Sequence, residues 1–351
     1  MGVGVLPELR IGVVGAGWAA REHSSSVARL GGATIAGVFD IDAQAAEKLA
    51  GEFGGPDARA YPSLDDLLGD ELDAIIVATP SGLHRLAVEP ALDLGISVFV
   101  EKPLSRTIED AEAIADAAAR SSAVCAVGYQ WRALEPLLGL RDRLRDESIA
   151  LMISQGVAVT QSRPWFADSR LSGGLLFERV SHHIDLQRML AGEVSHVTAV
   201  RGAVPIAGSG APADDCDDVI SLTLGFESGA IGAVHVVGSP TGYPVTQATR
   251  VFTTGDAYDF DLDPVFSFHS QGQPAVECAA EPPFICQMRR FLEATRTRDP
   301  ALVCCSAADA AGTVKTAAAA ERSLAQRTQI SVADRAAPAP DKRHIGGRYE
   351  Q

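Results

Sequence analysis

From Ile11 to Val127 the chain alternates short uninterrupted apolar runs with longer amphipathic stretches. The runs Ile11 to Val14, Thr34 to Phe39, Ala74 to Ala78, Ser97 to Val100 and Ala123 to Val127 read as strands covered on both faces, as in a parallel sheet. Between them lie stretches predicting helices: Ala19 to Leu30, Ala43 to Phe53, a short capped one at Ser63 to Leu68, Arg85 to Leu94, and Thr107 to Arg120. The last opens on a threonine cap followed by Glu109 and Asp110, acids that favour the positive end of a helix. Regular strand–helix alternation predicts a doubly wound α/β sheet over residues 1–131.

The pattern then changes. Strand-like segments follow one another at Ala150 to Thr160, His196 to Pro205, Val219 to Phe226, Ala230 to Val237 and Thr246 to Thr254. Glu227-Ser228-Gly229 reads as the turn of a hairpin. One helix, Gly173 to Leu190, interrupts them, and two more are expected near Pro283 to Thr297 and Ala307 to Gln326. Residues 132–330 therefore predict an α+β domain with a mainly antiparallel sheet, and 331–351, rich in Ala and Pro at its start, a C-terminal tail.

A length of 351 residues suits two domains, and 46% hydrophobic with 21% charged residues suits a soluble globular protein. The net charge of −15 argues against nucleic-acid or anionic-membrane partners. No apolar run is long enough to span a bilayer, and Met1 to Leu9 lacks the pattern of an export signal, so a cytoplasmic location is expected. The six cysteines show no CxxC spacing, which predicts reduced, buried thiols and no zinc site.

Chemistry enters at Gly15-Ala16-Gly17-Trp18-Ala19, directly after the first strand. Gly15 permits a tight turn, Gly17 permits close approach of a diphosphate, and Ala20 stands where close helix–strand packing is wanted. The amides opening the next helix then face the anion. Asp40 closes the second strand twenty positions after Ala20, where an acid holds adenosine ribose hydroxyls. Ile41 and Asp42 supply no arginine for a 2′-phosphate, so the expected cofactor is NAD rather than NADP.

Lys102 sits at the C-terminal end of a later strand, between Glu101 and the backbone-constraining Pro103. In the 173–190 helix, Glu178, His182 and Asp185 are spaced four and three apart, which puts carboxylate, imidazole and carboxylate on one stripe suited to proton transfer. A solvated helix face with an i,i+4 charge pair is the alternative. Adjacent His182 and His183 project about 100° apart, which disfavours chelation, so no metal is expected.

The Gly15-Ala16-Gly17 turn, Thr79-Pro80 with His84, Glu101-Lys102-Pro103, and the Gly173-Gly174 helix with His182 and Asp185 together resemble the Gfo/Idh/MocA oxidoreductases. That is the family of glucose–fructose oxidoreductase and inositol dehydrogenase. The resemblance implies that the second domain carries a large open sheet used for homodimer or homotetramer contacts. It implies a Rossmann first domain, Lys102 and His182 as a catalytic pair with Asp185 beside them, the loop of Thr79, Pro80 and His84 lining the nicotinamide side, and Glu101 and Lys102 among the cofactor-binding residues, with the Lys102–Pro103 bond often cis. Glu178 stands where the family commonly has aspartate, Val180 where glycine is frequent, and Ser81-Gly82 where asparagine is usual. Tyr129, Arg132, Arg163 and Trp165 are candidate substrate-pocket residues, aromatics for a sugar face and arginines for a carboxylate or phosphate.

The expected function is NAD-dependent hydride transfer at a hydroxyl or keto carbon of a sugar, sugar derivative or cyclitol. The alternatives are an enzyme whose bound NAD recycles during elimination or epimerisation of a glycosidic substrate, and a non-catalytic dinucleotide-sensing regulator.

Overall fold

A computed structural model describes residues 8–144, 147–159, 164–202, 219–239, 245–263, 267–270, 276–277 and 281–334. The chain divides into two compact units that interleave in sequence. The first is Met1–Arg143, Arg163–Glu178 and Cys278–Val314; the second is Leu144–Ser162, Arg179–Glu277 and Lys315–Gln351. A single cut at 131/132, as drawn from the sequence, does not follow this division.

The first unit holds strands β1 (Leu9–Val14), β2 (Ala33–Phe39), β3 (Gly54–Ala60), β4 (Ala74–Val77), β5 (Ser97–Val100) and β6 (Cys125–Val127). Its helices are α1 (Trp18–Leu30), α2 (Ala43–Phe53), α3 (Leu64–Leu68), α4 (His84–Asp93), α5 (Ile108–Arg120), α6 (Glu135–Arg143) and the single turn α7 (Pro164–Ala167). The strands are parallel and ordered β3-β2-β1-β4-β5-β6, the doubly wound arrangement whose order reverses beside β1. Capping follows the sequence: Asp42, Ser63 and Thr107 accept backbone amides at the starts of α2, α3 and α5. The sequence reading omits β3, whose Gly-Gly-Pro-Asp-Ala-Arg-Ala carries no buried residue and pairs only at the sheet edge.

Register decides what the sheet presents. Val14 pairs with Val77, Val77 with Val100, and Val100 with Val127. One residue further along, Gly15, Ala78, Glu101 and Gly128 are therefore brought side by side at the C-terminal edge. α9 (Pro283–Thr297), far away in sequence, returns to pack on this unit, with Met288, Phe291 and Leu292 in the same core as Ile11, Val27 and Phe99.

The second unit is built on a nine-stranded sheet of β7 (Ile149–Val159), β8 (Val194–Arg201), β9 (Val219–Phe226), β10 (Ile231–Ser239), β11 (Thr246–Thr253), β12 (Ala257–Asp263), β13 (Ser267–Ser270), β14 (Val276–Glu277) and β15 (Ile330–Ser331). All its pairings are antiparallel except β10 with β7. α8 (Ser181–Ala191) lies on this sheet, where Gln187 Nε2 donates to Ser154 Oγ at 2.9 Å and to Ala233 O at 3.0 Å. α10 (Ala307–Gln326) adds Ser323, whose Oγ accepts Ala199 N–H at 2.9 Å.

The helix expected from roughly Gly173 to Leu190 is present from Gly174 to Ala191, but its start is not regular α-helix. Gly173 (φ +72°) and Gly174 (φ +65°) are left-handed, and Leu176–Val180 forms a widened π turn before α8 begins. The expected tail begins at 331, yet Ser331 pairs with His196 in the sheet; residues 335–351 lie outside the described ones. Among the described residues, no helix is long and apolar enough to cross a membrane.

Candidate active site

The turn after β1 is built for close backbone approach. Gly15 has φ +91°, and a Cβ there would stand 2.8 Å from Ala78 O and 3.0 Å from Thr79 N. Its own N–H donates to Phe39 O at 2.8 Å, tying the turn to the end of β2. Gly17 caps α1 without a side-chain acceptor, so the first amides of that helix are left for an anion. Trp18 is half-exposed and meets Phe284 edge-on, Ala19 is partly covered, and Ala20 is fully buried, as the packing argument requires. Asp40 stands where an acid is expected. Its Oδ2 accepts Ala16 N–H at 2.6 Å and its Oδ1 accepts Asp42 N–H at 2.8 Å, leaving lone pairs on both oxygens.

Next along the edge is the loop after β4. His84 is fully buried, with Nε2 at 2.9 Å from Thr79 O and Nδ1 at 3.1 Å from Leu104 O. Burial pushes its imidazole below the usual range, against the two carbonyls that favour a proton. The ring therefore clasps the loop from inside. The Thr79 hydroxyl is buried without a hydrogen-bond partner among the described residues.

Lys102 lies just beyond the end of β5. The Lys102–Pro103 bond is cis, as the resemblance implies. Lys102 Nζ donates to the Glu178 backbone carbonyl at 2.9 Å and to its Oε2 at 3.3 Å, both side chains being almost wholly covered. Ser81 Oγ stands 3.2 Å from Glu178 Oε1 and 3.0 Å from Leu171 O. Lys102, Glu178 and Ser81 thus form one cluster within the first unit. Glu101 faces the other way: its Oε1 is 2.6 Å from His23 Nε2, and its Oε2 accepts Lys102 N–H at 3.1 Å. Burial raises the Glu101 carboxyl, yet His23, the Lys102 charge and the Lys102 amide together hold it below the ordinary carboxylate value.

His182 and Asp185 belong to the second unit, on the first turns of α8, His182 partly covered and Asp185 buried. Their neighbour His183 is buried against Gln247, its Nε2 2.7 Å from Gln247 Oε1, and burial pushes its imidazole down to about 4. That makes it structural. Among the described residues, no group of three or more His, Cys, Asp or Glu side chains is arranged to hold a metal ion.

Three of the four pocket candidates lie among the described residues. Arg132 is instead a buried ion-pair partner of Asp309, with Nη2 3.3 Å from Oδ1, because the turn after β6 folds it inward against α10. Tyr129 is 1% exposed and packs in the core. Trp165 is partly covered and meets Phe166 edge-on, while Arg163 lies outside the described residues. Sequence reasoning missed His23 and marked Ser81 only as a departure from the family's usual asparagine. Ala20, His23, Ser24 and Val27 are all buried and share the inward face of α1, so a histidine on that apolar stripe was the available signal.

Comparison with known proteins bears on this geometry. The family described as "Oxidoreductase family, NAD-binding Rossmann fold" matches residues 9–129, and the GFO/IDH/MocA C-terminal domain matches 149–257. The chain is 31% identical to an inositol 2-dehydrogenase of Leifsonia xyli subsp. xyli over 72% of this chain and 73% of that one. It is 28% identical to an inositol 2-dehydrogenase/D-chiro-inositol 3-dehydrogenase of Lacticaseibacillus casei, over 92% and 94%. In structure it resembles the UDP-N-acetylglucosamine 3-dehydrogenase GnnA of Acidithiobacillus ferrooxidans with a TM-score of 0.76, at 23% identity, covering 91% of this chain and 98% of that one.

Proposed function

Because this chain belongs to the GFO/IDH/MocA oxidoreductase family, we propose that it is an NAD-dependent dehydrogenase of a hydroxyl group on a sugar, sugar derivative or cyclitol. The observation that carries this reading is the Lys102 ammonium, braced by Glu178 on the same sheet edge as the glycine turn. The names of the relatives, dehydrogenases of inositols and of sugar derivatives, point to the same substrate class.

The Gly15-Ala16-Gly17 turn and the amides opening α1 are fitted to the cofactor diphosphate, since the space a Cβ would fill at Gly15 is already closed by backbone. Asp40 holds the adenosine ribose hydroxyls and repels a 2′-phosphate, which favours NAD over NADP; no arginine follows it. The buried Thr79 hydroxyl is a further donor on this side. When bound, the nicotinamide supplies the hydride acceptor.

The chain's own groups handle the substrate oxygen and its proton. Lys102 has three N–H donors and gives two to Glu178, so one remains for the substrate oxygen and stabilises the charge developing there. Glu178 fixes the direction of that donor. His182 takes the hydroxyl proton as general base, and Asp185 orients it.

The test is a panel of sugars and cyclitols offered to the purified chain with NAD and with NADP, following absorbance of the reduced cofactor. The expected result is NAD-linked oxidation of at least one polyol, with NAD preferred. Product formed without net reduced cofactor would favour the recycling reaction instead, and dinucleotide binding with no turnover of any substrate would favour a sensor.

A further inference from the structure

The buried face of the second unit's sheet is apolar on β9 and β10, where Ile220, Leu222, Leu224, Val234 and Val236 lie. The next two strands differ: β7 and β11 bury Ser154, Gln247 and Thr249. Two residues one turn apart on α8, His183 and Gln187, meet these groups. His183 Nε2 lies 2.7 Å from Gln247 Oε1, while Gln247 Nε2 donates to Val157 O at 3.2 Å, so the histidine donates. Gln187 uses both amide hydrogens, toward Ser154 Oγ at 2.9 Å and Ala233 O at 3.0 Å. Ser154 Oγ is in turn 2.9 Å from Thr249 Oγ1. α8 is thereby tied to β10, β7 and β11, three strands that lie side by side.

Glycines make room for both ties. A Cβ at Gly156 would overlap Gln247 Oε1 and stand 2.8 Å from His183 Nε2, and one at Gly232 would overlap Gln187 Oε1. That Oε1 is buried with no hydrogen-bond partner among the described residues, so the Gln187 amide is held by its two donors alone. An unpaired buried carbonyl is costly, and an apolar side chain of the same shape would avoid it.

We propose that Gln187 and Gln247 are positioning residues: they key α8 to the sheet in one register and so fix where the helix carries His182, the residue before His183. Hydrophobic contact is non-directional and tolerates sliding, whereas hydrogen bonds set into glycine notches do not. The catalytic consequence rests on the dehydrogenase reading, and the anchoring of α8 does not. A reacting group displaced by about 1 Å can cost about 10²-fold in rate.

Gln187→Met keeps the volume and removes one tie together with its unpaired carbonyl, so the urea midpoint is expected near the parent's. In Gln247→Met the midpoint is expected to fall, because His183 Nε2 loses its acceptor. In both, assayed where they are folded, kcat toward the polyol found in the substrate panel is expected to drop about tenfold with KM changed less than twofold. Hydrogen exchange of the peptide spanning residues 181–191, read by mass spectrometry without cofactor or substrate, is expected to quicken about tenfold in the same variants.

Parent kcat in the folded variants overturns the proposal, whatever the midpoint. So does a rise in KM alone, which would make the glutamines substrate-binding groups, and so does parent-like exchange of α8. If either methionine variant fails to fold, Ser154→Ala removes one acceptor with a smaller change and is read by the same kinetics and exchange. A parent protein that oxidises no polyol would remove the dehydrogenase reading, while the exchange of α8 still decides whether these ties hold the helix.

Discussion

Lys102 and Glu178, seventy-six positions apart, meet through two contacts from one ammonium, to the backbone carbonyl at 2.9 Å and to the carboxylate at 3.3 Å. The pair is almost fully covered, so it is not a solvated surface bridge and its geometry is held by its surroundings. Lys102→Met keeps much of the volume and removes the donor. Its kcat/KM toward the polyol is expected to fall about 10²- to 10³-fold, the usual loss for a donor to a developing oxyanion. Glu178→Gln keeps the shape and loses the charge, and is expected to lower kcat/KM less. Steady-state kinetics on variants with parent-like circular dichroism checks both.

Gly15→Ala should act on the cofactor. A side chain there needs φ near +91° and meets Ala78 O at 2.8 Å, so the turn must shift. The expected stability loss is about 1–3 kcal/mol. NAD affinity should fall as well, because the displaced backbone is the part that faces the diphosphate. Denaturant unfolding and calorimetric titration with NAD measure the two effects separately.

Acid stability should depend on His183. Its imidazole is pushed down to about 4 by burial, below the ordinary 6.5, so the folded protein binds fewer protons there than the unfolded chain. Its contribution is fully present above pH 6.5 and is lost as pH falls from there toward 4. Between pH 7 and 5 this amounts to about 2 kcal/mol, with His84 shifted in the same direction. His183→Asn is expected to flatten this part of the stability curve, read as urea midpoints across pH. A variant with the parent's pH slope would show that other groups control it.

Arg132 offers a contrast between structure and substrate binding. Its side chain is buried and joined to Asp309, while Asp309 is partly exposed, which weakens the pair. Arg132→Met is expected to lower stability by about 1–3 kcal/mol, allowing for solvent around the aspartate, with kcat/KM changed less than threefold. A large rise in KM with unchanged melting temperature would return Arg132 to the substrate pocket.

The Rossmann unit was readable in the chain because every parallel strand except β3 is largely buried and appears as an apolar run, with helix caps at predictable places. β3 was missed because an edge strand needs no such run. α9 was expected as a helix, but its docking against Phe99 and α1 depends on contacts between residues far apart in the chain, such as Phe99 with Phe291 and Trp18 with Phe284, which no local pattern encodes. By contrast, Gly15, Lys102 and the His182 helix were each marked by local sequence.

Local residue order thus determined the elements, the glycine turn and the types of reactive group, since propensity, capping and periodicity act over a few positions. Tertiary structure decided the partners. Parallel register brought Gly15, Ala78 and Glu101 into one row, while packing of helical and turn segments gave Glu178 to Lys102 and Ser81 and turned Arg132 toward Asp309. The physical reason is that a buried charge takes its partner from whatever packing brings within a few ångströms, whatever the distance along the chain.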